Sequence, residues 1–273
     1  MFSSYMRLFV TIVALGLFFG ACSPYQKVLK KGEVGEKFHF ADSLYNAGKY
    51  KKALKLMEQI VPAYRGKPQA EKLMFIYSDT YYQLEDYYLA GYQFERFVTS
   101  YPSSQKAEEA AFKSAKAYYQ LSPRYSLDQK DTNIALDKLQ QFINSYPESS
   151  YLQEANSLVA ELTNKIEKKR FEIAKQYYYT KSIGNNYKAA IAAFDNFILD
   201  FPGSEFREQA YYLRFEAAYT LAINSYQYLV QERLEQAKTY YNSYTRYYPN
   251  GADRTQADEI LSDIEQRLNE IQS

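Results

Sequence analysis

The chain has 273 residues, 33 Lys and Arg against 32 Asp and Glu, and 47% hydrophobic residues. So balanced a charge argues against a nucleic-acid surface, and so much apolar content argues against a disordered chain. With only 10 Gly and 8 Pro, and Ala, Leu, Lys, Glu and Gln filling the stretches between them, helix is favoured over sheet. The 31 Tyr, alongside no Trp, suit either core packing or a contact surface, because each ring is apolar and carries one hydroxyl.

The N-terminus reads as an export signal. Arg7 supplies the positive charge, Leu8 to Phe19 the apolar stretch, and small Gly20 and Ala21 stand before Cys22. The apolar run is shorter than the roughly 20 residues a membrane-spanning helix needs, and polar Ser23, Gln26 and Lys27 follow at once. Cys22 is the only cysteine, so no internal disulfide can form despite export. The run Phe19-Gly20-Ala21-Cys22 resembles the bacterial lipobox, departing from it at Phe19, where Leu is usual. That resemblance implies removal of residues 1–21 and lipidation of Cys22. Two or more acyl chains, at about 0.8 kcal/mol per buried methylene, hold a soluble domain stably on a bilayer. Ser23 rather than Asp is similar to the outer-membrane sorting choice of enteric bacteria. Residues 22–36 are expected to form a lipidated tether, with Lys27, Lys30 and Lys31 near anionic headgroups or simply solvated.

A repeat governs the remainder. Ala90, Phe94, Phe97 and Tyr101-Pro102 recur at identical offsets as Ala135, Leu139, Phe142 and Tyr146-Pro147, then Ala190, Phe194, Phe197 and Phe201-Pro202, then Ala237, Tyr241, Tyr244 and Tyr248-Pro249. A degenerate first copy reads Ala53, Met57, Ile60, Tyr64, with Arg65 in place of proline. Eight residues after each Pro stands another Ala: Ala110, Ala155, Ala210 and Ala257. Offsets of zero, four, seven and eleven fall on one helical face, with Ala at the closest helix contact and Pro ending the helix. Ser104, Ser149, Ser204 and Gly251, two places after each Pro, are suited to start the next helix. Helices are therefore expected in antiparallel pairs.

This pattern resembles the tetratricopeptide repeat. Its first helix is matched by Ala41 before Leu44, Ser78 before Tyr81, Ala115 before Tyr118 and Ala174 before Tyr177. The resemblance implies an all-α, tetratricopeptide-like helical-repeat solenoid of about five helix pairs over residues 37–270, with N-terminal repeats in 37–147 and C-terminal repeats in 148–270. Repeat spacings of 37, 45, 55 and 47 exceed the family period of 34. One insertion, Ser122 to Thr132, is loop-like. Another, Tyr151 to Tyr179, lacks Gly and Pro and predicts one helix of roughly 43 Å, with Glu161 and Lys165 on its solvated face.

The lipoprotein signal, the five irregular repeats, the Tyr-Pro-x-Ser boundaries, Ser122-Pro123-Arg124-Tyr125 with Asp128-Gln129 and Thr132, and the long helix after the third repeat together resemble the BamD family. These are lipoprotein subunits of the machinery that inserts β-barrel proteins into bacterial outer membranes. The resemblance implies a periplasm-facing scaffold. Its partners would be the barrel-forming core subunit, unfolded outer membrane protein precursors and other lipoproteins of the complex, with membrane attachment through Cys22. In that family precursors bind toward the N-terminal repeats and the core subunit toward the C-terminal ones.

The first helices also carry an aromatic ladder. Phe38, Phe75, Phe112 and Phe171 each precede a tyrosine by seven residues, Tyr45, Tyr82, Tyr119 and Tyr178, so each pair shares a helix face. Each tyrosine directly follows a core position and is rotated about 100° from it. The ladder is expected to line a groove for an extended, aromatic-ended segment of an unfolded barrel protein. The same offsets also fit packing against the preceding repeat. The fifth repeat breaks the series, with Phe215 but Ala222.

Catalysis has no support in the residues. His39, the sole histidine, sits between Phe38 and Phe40, where packing or surface roles outweigh general-base chemistry. The chain lacks a zinc-ligand set, a Gly-rich phosphate loop and a Gly-x-Ser-x-Gly elbow, so no catalytic residue, metal or cofactor is expected. Glu85-Asp86 and Glu108-Glu109 read as water-facing acids. Two alternatives stay open: another envelope tetratricopeptide lipoprotein that coordinates cell-wall synthesis, and a glycan-binding lipoprotein, which the lack of Trp disfavours.

Overall fold

The computed structural model describes residues 24–180 and 186–272, and every regular element in them is a helix. The export signal and Cys22 lie outside the described residues. A short helix, α1 (Pro24–Lys31), comes first. Five pairs follow: α2 (Val34–Asn46) with α3 (Tyr50–Tyr64), α4 (Ala70–Gln83) with α5 (Tyr87–Ser100), α6 (Ala107–Leu121) with α7 (Lys130–Ser145), α8 (Leu152–Tyr179) with α9 (Tyr187–Asp200), and α10 (Arg207–Ile223) with α11 (Gln227–Tyr247). Helix α12 (Arg254–Gln272) closes the C-terminal end, burying Ala257, Ile264 and Leu268 as terminal helices of repeat proteins do.

The repeat offsets act as the helical period requires. Ala53, Ala90, Ala135, Ala190 and Ala237 are fully buried, and so are the four alanines that follow the prolines. Phe94, Phe97, Phe194, Phe197 and Tyr244 fill the core beyond them. The helix ends one residue earlier than the last offset: Tyr101, Phe201 and Tyr248 are caps in a non-helical conformation, because the following Pro disfavours helical angles for the residue before it. Each cap N–H still reaches back to the offset-seven carbonyl, as in Tyr101 to Phe97 at 2.8 Å. The serines then start the next helix: Ser104 Oγ accepts from the N–H of Lys106 at 3.0 Å, and Ser149 Oγ from that of Tyr151 at 3.1 Å.

The described chain divides into two compact units, one ending at Leu121 and resuming over Asp137–Ala155, the other formed by Ser122–Leu136 and the chain from Asn156 onward. The expected division after Pro147 therefore falls inside the first unit. The core of the first runs through Phe38, Leu56, Met57, Ile60, Leu73, Phe94 and Phe112. That of the second runs through Phe171, Phe194, Phe197, Phe215, Tyr241 and Tyr244.

Three expectations need correction. Residues 24–31 are not a free tether: α1 folds onto the first repeat, burying Tyr25 and Val28, because those two apolar side chains share one helix face. Lys165 does not mark a solvated face, since its Nζ donates to Ser122 Oγ at 2.8 Å. The long helix α8 is instead clamped to the 122–129 loop, with Lys169 donating to the Leu127 carbonyl and Lys168 over the Tyr125 ring at 4.8 Å. Finally, Ala174 is buried but Tyr177 is exposed, and Tyr178 takes the core position, because Phe171 and Tyr178 both turn toward Phe194 of α9.

Candidate functional site

The first helices of the initial repeats bring several ladder residues together. Tyr45 on α2 donates its hydroxyl to Asp79 Oδ2 on α4 at 2.6 Å, and Lys113 on α6 donates to Oδ1 of the same carboxylate at 2.7 Å. One carboxylate, 2% exposed, thus ties three successive repeats. Burial and then the Asp79 hydrogen bond raise the pKa of Tyr45, so its hydroxyl remains a donor. Burial works against the Lys113 ammonium, but Asp79 and Glu109 outweigh it and hold its pKa above the usual lysine value. Glu109 in turn pairs with Lys106 at 2.7 Å and Lys113 at 3.2 Å. Further ion pairs on these helices join Asp42 to Lys72 and Lys116 to Glu154, each at 2.7 Å.

Beside this network Tyr45, Pro68, Lys72, Phe75, Phe97 and Lys106 line a hollow of about 420 Å³. Two ladder members, Tyr45 and Phe75, share it. Lys106 and Lys113 stand over the Phe75 ring at 5.3 and 5.4 Å, a range in which cations are attracted to the ring face. Glu71 lines it as well, so the hollow offers apolar walls and a rim that carries Lys72 and Lys106 together with this acid.

The other ladder residues divide by burial. Phe38, Phe112, Phe171 and Tyr178 are core side chains: Phe38 stacks on Tyr64, Phe112 on Tyr151, and Phe171 on Phe206. Each of these three phenylalanines carries a lysine over its ring, Lys72, Lys116 and Lys175 respectively. What these three present outward is cation rather than open aromatic surface. Tyr82 and Tyr119 are half-buried, and Tyr82 packs edge-on against Tyr87 at 5.4 Å. Burial raises the Tyr82 pKa, with Lys116 opposing it. In the fifth repeat Phe215 and Ala222 are both buried, with the Phe215 ring edge-on to Tyr241.

Sequence reasoning missed Asp79, Lys113 and Arg214. Arg214 is buried, donates to Asp195 at 2.6 Å and lies over the Tyr240 ring at 4.3 Å. The available signal for Asp79 and Arg214 was a charge one helical turn from apolar residues, Phe75 and Ile76 for the one, Ala210 and Ala218 for the other. Glu108 is likewise not simply hydrated: it accepts from Ser149 Oγ at 2.6 Å, as Glu71 does from Ser104 Oγ at 2.6 Å. His39 is exposed, edge-on to Phe38. Among the described residues no group of three or more His, Cys, Asp or Glu is placed to hold a metal ion, and no helix is long and apolar enough to cross a membrane.

The family model YfiO, described as outer membrane lipoprotein, matches residues 31–184. The chain belongs to this family. In this outer membrane lipoprotein the matched span takes in α2 to α8 entire, with the hollow, the Asp79 network and the 122–129 loop. Membership associates it with the outer membrane and, with the helical-repeat fold, points to a scaffold rather than an enzyme. Among solved structures it is similar to the TPR2AB domain of yeast Sti1 in complex with pHSP90, at 13% identity and a TM-score of 0.40, covering 85% of this chain and 98% of that one. It is also similar to a putative kinesin light chain with nearly identical TPR-like repeats from Podosopora anserina, at 14% identity and a TM-score of 0.32, covering 78% of this chain and 96% of that one. No curated protein matches it in sequence at a significant level.

Proposed function

We propose that this outer membrane lipoprotein is a β-barrel assembly factor, anchored through lipidated Cys22 and facing the periplasm. It binds unfolded barrel precursors on the first-helix face of its N-terminal repeats and the barrel-forming core subunit through its C-terminal repeats, alongside other lipoproteins of the complex. The observation that carries this reading is the family match across residues 31–184, which includes every residue lining the Tyr45–Phe75 hollow. An aromatic side chain of an extended precursor fits the apolar walls. Aromatic contacts of this kind tolerate varied sequences because they gain area at low entropic cost.

The test is site-specific photocrosslinking in intact envelopes, from Lys72 beside the hollow and from exposed Tyr228 in the last repeat. Capture of nascent barrel proteins at the first position and of a barrel-forming subunit at the second is expected. Recovery of cell-wall synthases without any barrel protein would replace this reading with a cell-wall coordinator.

A further inference from the structure

Helix α1 and the start of α3 form a basic end to the first repeat. The Tyr25 hydroxyl donates to the Lys52 carbonyl at 3.3 Å, the Lys52 ammonium lies 5.3 Å over the Tyr25 ring, and Tyr25 stacks on Phe40 at 6.5 Å. These contacts hold α1 against the repeat and open a hollow of about 310 Å³ lined by Tyr25, Gln26, Lys51, Lys52 and Lys55. Lys30, one turn beyond Gln26 on α1, extends the charge along the same helix face.

Some lysines of this unit are matched by carboxylates, as in Lys72 with Asp42, Lys113 with Asp79 and Lys138 with Glu95. Lys51, Lys52 and Lys55 have no such partner among the described residues. Their placement also opposes helix stability. The first turn of α3 holds no acidic residue, and cations there meet the positive end of the helix dipole. Three ammonium groups without a carboxylate partner around one hollow, two of them in the first turn of α3, thus cost stability that an anion would restore. The chain itself indicates which anion. Cys22 precedes Pro24 by two residues, a span of at most about 7 Å, so an acylated Cys22 sets α1 at the headgroup level.

We infer that the hollow formed by Gln26, Lys51, Lys52 and Lys55 binds the phosphate of an anionic lipid headgroup, fixing how the first repeat meets the membrane. The inference rests on Cys22 as the lipid anchor. Basic residues this close to a bilayer are drawn to anionic lipids within a Debye length, and an anchor joined directly to a packed helix removes the slack a flexible tether would leave.

The experiment uses the full lipidated chain with vesicles of phosphatidylcholine alone, with vesicles containing phosphatidylglycerol, and with inorganic phosphate added to the neutral vesicles. Flotation reads the anchor. The rate at which a water-soluble amine reagent modifies each lysine, resolved by mass spectrometry, reads the site. Lys51, Lys52 and Lys55 are expected to react severalfold more slowly on anionic than on neutral vesicles, while exposed Lys188 is unchanged. The K51Q/K52Q/K55Q variant is expected to float equally and to lose its preference for anionic vesicles. Equal lysine reactivity on both vesicle types, with flotation intact, would overturn the inference and leave the anchor standing. Equal protection by inorganic phosphate would overturn the lipid as occupant. Retention on anionic vesicles without flotation on neutral ones would support the site and refute the anchor.

Discussion

Tyr45 and Asp79 lie 34 residues apart, and the hydroxyl of the first donates to the carboxylate of the second at 2.6 Å. Because Lys113 holds the other oxygen at 2.7 Å, the spacing of three repeats is set through one buried group. Replacing Asp79 by Ala leaves a half-buried ammonium and a hydroxyl without their acceptor. A loss of about 2–3 kcal/mol is expected, against about 1 kcal/mol for Tyr45→Phe. Urea unfolding of both variants and of their combination measures the coupling. Additive losses would show the two groups acting independently.

The ladder phenylalanines and tyrosines differ in burial, so truncation separates them. Phe171→Ala empties a fully buried site and is expected to cost about 3–5 kcal/mol. Tyr82→Ala, at a half-buried position, is expected to cost about 1 kcal/mol. Thermal and chemical denaturation check both, and only the tyrosine variant is expected to stay folded well enough for a binding assay.

Glu85 and Gly48 occupy the same place in successive hairpin turns. Their φ angles are +62° and +68°. The flanking bonds also correspond, with Lys49 N–H to the Leu44 carbonyl at 2.8 Å and Asp86 N–H to that of Tyr81 at 3.0 Å. A side chain in the left-handed region is strained where glycine is not. Glu85→Gly is expected to raise stability by about 1 kcal/mol, read as a higher urea midpoint. A lower midpoint would contradict the assignment.

Gln129 organises the inserted loop. Its Nε2 donates to the carbonyls of Arg124 and Leu127, both at 2.9 Å, and its Oε1 accepts from Thr132 at 2.8 Å. Gln129→Ala is expected to speed hydrogen exchange across residues 122–129 by at least about tenfold, since buried acceptors lose their donor. Exchange in α12 serves as the unaffected reference.

Two acids are expected to respond to pH in opposite senses. Burial, then Glu208 and Glu216, raise the Asp253 pKa, so its contribution is present below the unfolded value near about pH 4 and is lost as pH rises through the raised folded value. Asp253→Asn is expected to stabilise at neutral pH by less than about 1 kcal/mol after allowance for solvent, and to have no effect in acid. Burial pushes the Glu109 pKa up, but Lys106 and Lys113 outweigh it and hold it low. Its stabilisation is present above the unfolded pKa and is lost as pH falls through the lowered folded value, so Glu109→Gln costs stability only above that range. Melting temperatures across the pH series decide both.

Local pattern carried much of this architecture. The helical period alone marks Ala90, Phe94 and Phe97 as core, and Pro102 follows the end of their helix. The long helix α8, free of Gly and Pro, follows from the same local rules. The site was legible only in part. Tyr45 and Phe75 do meet at one hollow, whereas Phe38, Phe112 and Phe171 turn inward, because a seven-residue spacing shows that two residues share a face without showing what that face packs against.

The sequence by itself determined the helices, their pairing and the buried repeat positions from Ala53 to Ala257. Those depend on neighbours within a turn or two of chain, where backbone geometry leaves few choices. Only the tertiary structure decided that Asp79 serves Tyr45 and Lys113, that α8 shows Tyr177 and hides Tyr178, and that α1 folds onto the first repeat. Each depends on how one helix is rotated against another, and that rotation is set by contacts between residues far apart in the chain.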